Sequence, residues 1–377
     1  MEQVQEKNYI IKLEVCGPLH IGSGEVANKK EYVYNPHKEK IEMLNLRKFF
    51  ELLVAENLSD KYTDFIMSGK KSLYEFILEN GLRDKYRDTI RYTMDSKNII
   101  TNKQKVGRNQ GYSNKKKRPK EVNISLAMKD PYHRPYIPGS SLKGALIQNL
   151  LYATALKYKN KFGMVASDDK SIQDRIVQKI YVDKEIDETD KDKKTAAYLG
   201  KIIQVSDSES LSTSTLELAE KVDLVITERE IKESKPNVIR EAIKEGTQIT
   251  FRLKLLRPDI VSEEDLIKAV RRTFSSLHEH YRTKGNLSRQ NGAHYGAHLY
   301  LGGGTGFISK TLHYGLYVDK QKAVDESIKI LERKFRKIKR REDRKIGLAP
   351  KTIKMARTPQ AKKEMGLCKI SIEEVIL

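Results

Sequence analysis

His20 is the residue whose surroundings first suggest chemistry. It stands in Gly17-Pro18-Leu19-His20-Ile21-Gly22-Ser23-Gly24, where three glycines bare the backbone around an imidazole. A general base needs a carboxylate or second histidine to orient it and tune its pKa. No such partner is identifiable from spacing, so a structural, stacking or RNA-contacting role outweighs catalysis, with Gly22, Ser23 and Gly24 beside it. His278, His280, His294 and His298 form pairs at i+2 and i+4, but no cysteine joins them and the segment is basic. They do not make a metal set. No GxSxG, HExxH or kinase signature occurs. The expectation is no catalytic residue, no metal and no cofactor.

Three segments are built to meet an anion. Leu301-Gly302-Gly303-Gly304-Thr305-Gly306-Phe307 has four glycines in five positions, which lets backbone N–H groups approach a phosphate. It is neither a Walker A loop nor a dinucleotide fingerprint, because no Lys-Ser/Thr follows and no strand pattern leads into it. Gly302, Gly303, Gly304 and Thr305 are the candidate contacts; the plain alternative is a tight turn. Ile137-Pro138-Gly139-Ser140-Ser141-Leu142-Lys143-Gly144 opens a helix, with Ser140 or Ser141 as N-cap. Lys143 in its first turn opposes the helix dipole, which makes sense if a phosphate lies between them; otherwise the lysine is solvated. Residues 101–120 carry eight Lys or Arg and no acid. They read as a mobile basic loop, with Lys115, Lys116, Lys117 and Arg118 as its densest run.

The elements that must hold these segments show in the periodicity. Tyr9–Val15 alternates and predicts a half-buried strand feeding the His20 segment. Glu31–Tyr34 and Lys40–Leu44 read as a second strand pair across Asn35-Pro36. Leu46 to about Tyr92 is helical in pattern and reads as an insertion. Lys201–Ser206 is strand-like, and Asp207 after it serves to cap the turn rather than bind a metal. Thr247–Leu255 is the clearest strand, with Thr250, Arg252 and Lys254 on an outward face suited to a polyanion. Apolar stripes follow Ser141, and again follow Ser262 and Asp265, which resemble a capping box. Lys329–Arg357 holds thirteen Lys or Arg against three acids and reads as a basic helix or tail. Strands and amphipathic helices in this order imply an α+β sandwich, helices on one face of an antiparallel sheet.

The 377 residues suffice for two domains, or for one enlarged by insertions. Seventy-two Lys and Arg against fifty-one Asp and Glu give a net charge of +21, an excess that a polyanion would neutralise. No apolar run approaches the ~18 residues of a spanning helix, and Met1–Lys7 is polar. Cys16 and Cys368 have no companions at ligand spacing and read as reduced thiols. A cytoplasmic RNA-binding chain, with no membrane partner, is the expectation.

The strand running into Leu19–Gly24, the Ile137–Gly144 segment and the glycine loop Leu301–Phe307, in that order, resemble the RAMP proteins of type III CRISPR systems. Within these, the Leu-Gly-Gly-Gly-Thr-Gly-Phe form, the length and the helical insertion are most similar to the family of fifth subunits of the type III-A Csm complex. The resemblance implies a ferredoxin-like (RRM-like) RAMP core over 1–258, with a helical insertion at about 46–92 and the basic loop 101–120. It implies a second, smaller or degenerate RAMP-like part over 259–377. It further implies a noncatalytic subunit that binds crRNA, caps the backbone at the crRNA 3′ end, and supports crRNA maturation and antiviral defence. Its partners would be crRNA, target RNA, the backbone RAMP subunit and the small helical subunit. The alternatives are a RAMP endoribonuclease with His20 as base, another RAMP subunit at the 5′ tag, and a basic RNA-binding protein outside CRISPR. The aromatic motifs of ordinary RRMs are missing, so base stacking on the sheet is not expected.

Overall fold

The computed structural model describes residues 5–68, 71–97, 99, 122–159, 176, 196–282, 296–336 and 338–375. The basic loop 101–120, with its run Lys115–Arg118, and His294 lie outside them.

Strand β1 (Lys7–Val15) buries Tyr9, Ile11, Leu13 and Val15 and exposes Lys12, the alternation its sequence dictates. It is antiparallel to two strands at once: β11 (Gln248–Leu255) on one side and β15 (Leu367–Glu374) on the other. β7 (Ile203–Val205) extends the sheet beyond β11, and β12 (His298–Tyr300) extends it beyond β15. Two long helices join these strands, Gly139–Lys157 and Glu263–Arg282. They touch each other through Thr273 Oγ1, which donates to the Asn149 carbonyl at 3.0 Å, and through Tyr152 and Ser276, whose hydroxyls are 3.2 Å apart. In chain order the pieces run β1, helix, β7, β11, helix, β15, and in space β15-β1-β11-β7, all antiparallel. That is the ferredoxin-like α+β arrangement.

The second sheet runs β14 (Lys362–Glu364), β13 (Thr352–Arg357), β8 (Leu216–Ile226), β10 (Ile239–Ile243), β6 (Ile124–Ala127), β2 (Gly22–Ala27), with β9 (Ile231–Ser234) on β8. The chain passes from the first sheet to the second at Cys16–Leu19: the Cys16 and Gly17 N–H groups donate to Leu367, and Leu19 exchanges two backbone bonds with Ile243. A third sheet, β3 (Tyr32–Asn35), β4 (Lys40–Leu44) and β5 (Ile90–Asp95), has two apolar faces. Tyr32, Ile41, Met43 and Met94 join the main core, while Val33 and Leu44 join Phe49, Leu53, Phe65, Phe76 and Ile77 of the helices at 46–79 in a smaller one. The helical stretch thus ends at Thr89, and Tyr92 lies on a strand.

Two expectations change. Lys329–Arg357, expected as a basic helix or tail, is helical only in part: it forms the end of helix Lys320–Lys334, helix Arg341–Ile346 and then β13, inside the second sheet. Its cations meet acids, Arg344 with Asp325, Arg340 with Asp343 and Arg357 with Glu220 and Glu233. The outward face of the first sheet is likewise charge-paired, Lys7 with Glu374, Lys12 with Glu373 and Lys254 with Glu6, at 2.5–3.0 Å. No helix among the described residues is long and apolar enough to cross a membrane. Cys16 and Cys368, far apart in sequence, come to neighbouring places, Val15 pairing with Cys368, and both thiols are free.

Candidate nucleic-acid interface

The His20 segment and the late glycine loop, 280 residues apart in sequence, meet where the two larger sheets join. A strand does lead into the loop: β12 is three residues long, too short to show a period, and hands the chain to Leu301. The Gly303 N–H donates to the His20 carbonyl at 2.8 Å. Gly302 has φ +82°, and a Cβ there would collide with the same carbonyl, so glycine is required twice over. Gly304 and Gly306 also have positive φ; Gly303 does not. Thr305 is buried and ties the turn, its Oγ1 donating to the Gly302 carbonyl and accepting from Ser309.

His20 itself is buried, with its Nδ1 2.7 Å from the Glu241 carbonyl oxygen. A carbonyl only accepts, so Nδ1 carries the proton and Nε2 is the acceptor. Burial lowers the imidazole pKa, the bond to Glu241 opposes this, and the Arg240 charge adds to it. A base held neutral suits catalysis only if it reaches a substrate; here the ring lies against Gly22 and Gly303. His20 fastens three segments together. Gly22, Ser23 and Gly24 begin strand β2 rather than a free loop, and Gly22 and Gly24 are exposed.

Two cations line the glycine loop that its own sequence does not announce. The Arg240 guanidinium lies beside Gly304 and the Lys354 stem beside Gly306. Lys354 pairs with Asp223 at 2.9 Å, and Lys221 pairs with the same carboxylate at 3.3 Å. Arg240 is half-buried, and among the described residues no hydrogen bond or ion pair engages its side chain. Burial works against its charge and Asp223 works for it. Two lysines thus pair with one carboxylate and Arg240 lies within its field, beside a bared backbone, an arrangement that attracts phosphate. The available signal was Ile239-Arg240-Glu241-Ala242-Ile243, a short apolar strand with two charges inside it.

Below Arg240, Glu241 is fully buried. Its carboxylate accepts from Tyr92 OH, the Ala127 N–H at 2.9 Å and the Lys129 ammonium. This fastens the three-stranded sheet to the second sheet under the seam.

The Pro138–Lys143 turn is placed elsewhere. The helix starts at Gly139 without a serine cap; Ser140 is exposed and Ser141 partly so. Asp207 does the capping, its Oδ1 accepting from the Gly139 N–H at 2.7 Å. Gly139 packs so closely on the Val205 and Ser206 carbonyls that a Cβ would overlap them. Lys143 donates to the Gly200 carbonyl at 3.3 Å. The turn is therefore fastened to β7 and not to the glycine loop. Among the described residues no group of three or more His, Cys, Asp or Glu could hold a metal.

Comparison with known proteins agrees with this fold. The chain is similar along most of its length to proteins named CRISPR system Cms protein Csm5. That of Enterococcus italicus is 26% identical over 376 residues, covering 93% of this chain and 91% of that protein. That of Mycobacterium tuberculosis is 26% identical over 390 residues, covering 97% and 98%. Among solved structures, a chain of a Csm-crRNA-target RNA ternary complex of a type III-A CRISPR-Cas system has a TM-score of 0.60 at 19% identity, covering 96% of this chain and 100% of that one. The crystal structure of T. onnurineus Csm5 has a TM-score of 0.54 at 20% identity, covering 95% and 99%. The RAMP superfamily model matches residues 12–310, most of the chain, and the chain belongs to that superfamily.

Proposed function

We propose that this chain is a Csm5-type subunit of a type III-A CRISPR effector complex, that it holds RNA by its phosphates at the seam between the two larger sheets, and that it cuts none. The observation that carries the reading is the half-buried Arg240 beside the glycine loop, its guanidinium without a partner among the described residues, in a chain of charge +21. Gly302–Thr305 and Gly22–Gly24 would border the phosphates. His20 positions both segments and makes no attack. Filter binding of scrambled single-stranded RNAs at several salt concentrations tests this. Affinity should fall steeply with salt and little with sequence. Arg240→Ala should weaken binding about tenfold or more, given the ~1.5–3 kcal/mol a hydrogen bond to a charged group contributes. It should also flatten the log–log salt slope by about 0.7. Lys12→Ala, on the charge-paired outer face, should change neither. The same incubations, with or without divalent metal, should leave the RNA intact. An Arg240→Ala protein of unchanged melting temperature, affinity and salt slope would sink the reading.

We further propose the capping role at the crRNA 3′ end, which the likeness to Csm5 proteins supports. A repeated RAMP subunit joined head to tail makes a heterologous contact that does not close, so a filament extends until something ends it. A terminal subunit offers one matching face and lacks the propagating one. Native mass spectrometry on a long RNA should find this chain as single, separated copies, joining one per complex. Runs of touching copies would be incompatible with a cap.

A further inference from the structure

A turn between β6 and the Gly139–Lys157 helix holds an aromatic ring out in solvent. Tyr132 is 79% exposed. A lone exposed tyrosine is ordinary; the mount under this one is not. The Asp130 carboxylate accepts four bonds, from the Tyr132 N–H, the Arg134 N–H, Arg134 Nε and Ser210 Oγ, at 2.8–2.9 Å. Against a burial penalty that raises its pKa, these bonds and the Arg134 charge hold the carboxyl down at about 2. The backbone closes the turn as well: the Asp130 N–H donates to Arg134, the His133 N–H donates to Asp130, and Lys129 bridges Pro135. His133 stands at φ +63°, a conformation that side chains other than glycine seldom adopt and that marks an over-determined turn.

The turn carries cations beside the ring. The Arg134 guanidinium carbon lies 5.3 Å from the Tyr132 ring centroid, and Arg91 Nη1 lies 3.0 Å from His133 Nδ1. A cleft of about 870 Å³ is lined by Lys129, Asp130, His133 and Arg91, by Glu25 and Glu31, and by Ser23 of the first glycine segment. It therefore runs from Ser23 to the foot of this turn, whose ring is backed by a guanidinium.

We propose that Tyr132, with Arg134 behind it, is a stacking platform for one unpaired base of the RNA strand, a site that rests on the phosphate reading of the seam. Stacking uses the face every base has, so the site tolerates sequence but needs an unpaired base. The test compares Tyr132→Ala, Tyr132→Phe and Arg240→Ala on a single-stranded RNA and on a blunt duplex. Tyr132→Ala should weaken single-strand binding about tenfold, leave the salt slope and the melting temperature unchanged, and leave the duplex unaffected. Tyr132→Phe should bind like the wild type. If Tyr132→Ala binds normally while Arg240→Ala is weakened, the platform is overturned and the seam stands; if neither is weakened, both fall. Equal loss in the Phe and Ala variants would mean that the hydroxyl makes the contact, which also overturns stacking. So would normal RNA binding with lost assembly into a complex, because the ring would then be a protein contact.

Discussion

Glu217 is a carboxyl at which burial and charge are in direct conflict. It is 5% exposed, and burial pushes its pKa up to about 7, while Lys244 and a bond from Thr358 pull down and Glu245 pushes further up. The folded form therefore holds this proton more tightly than the unfolded chain, whose value is near 4.5. Stability from this group is full below about 4.5 and is lost as pH rises through about 7, a difference on the order of 3 kcal/mol. Urea unfolding at pH 5, 6, 7 and 8 should show the wild type losing ground to Glu217→Gln over that range and running parallel to it above. Parallel curves throughout would contradict the burial argument. Sequence could not single out Glu217, because its conflict is set by the strands around it. His20 was legible through its glycines, yet its partner, the Glu241 carbonyl, is 221 residues away. Arg240 had no glycine or spacing to announce it.

Between elements, Glu241 with Tyr92, Ala127 and Lys129 forms a buried tie that binds the three-stranded sheet to β10 and β6. Removing one member of a buried pair leaves the other charge uncompensated. Glu241→Ala should cost about 3–5 kcal/mol and Tyr92→Phe about 1 kcal/mol. Hydrogen exchange should show the 32–95 region opening in the first variant before the ferredoxin-like core does. Uniform loss of protection would place the tie elsewhere. The long elements were readable: β1, β11 and the Ser262–Asp265 capping box follow from local period and side chains, and the last is present as Asp265 N–H to Ser262 Oγ and Ser262 N–H to Asp265 Oδ2. β7 lies within the strand-like Lys201–Ser206, whereas β12, three residues long, falls below any period. The serine cap before the Gly139–Lys157 helix was a local guess; Asp207 reaches its N-terminus from 68 residues away, which no local pattern encodes.

Over the whole molecule, the charge of +21 is spread unevenly, because much of the Lys and Arg on the first sheet and in 329–357 is paired with acids. What remains unpaired matters more than the total, and among the described residues the seam joins such a charge, on Arg240, to bared backbone. The fold class was legible because apolar period alone decides which faces bury. The seam was not, because it joins β12, β10 and the His20 segment from three distant stretches.

The place of β15 also sets the timing of synthesis. β1 lies between β11 and β15, so a strand finished at residue 15 waits for residues 367–374 before its second edge is paired. At ~5–20 residues per second the ribosome takes roughly 20–70 s to cover that interval. Throughout it the nascent chain presents an open, apolar strand edge, so the cell must shield this protein while it is being translated more than after it is released.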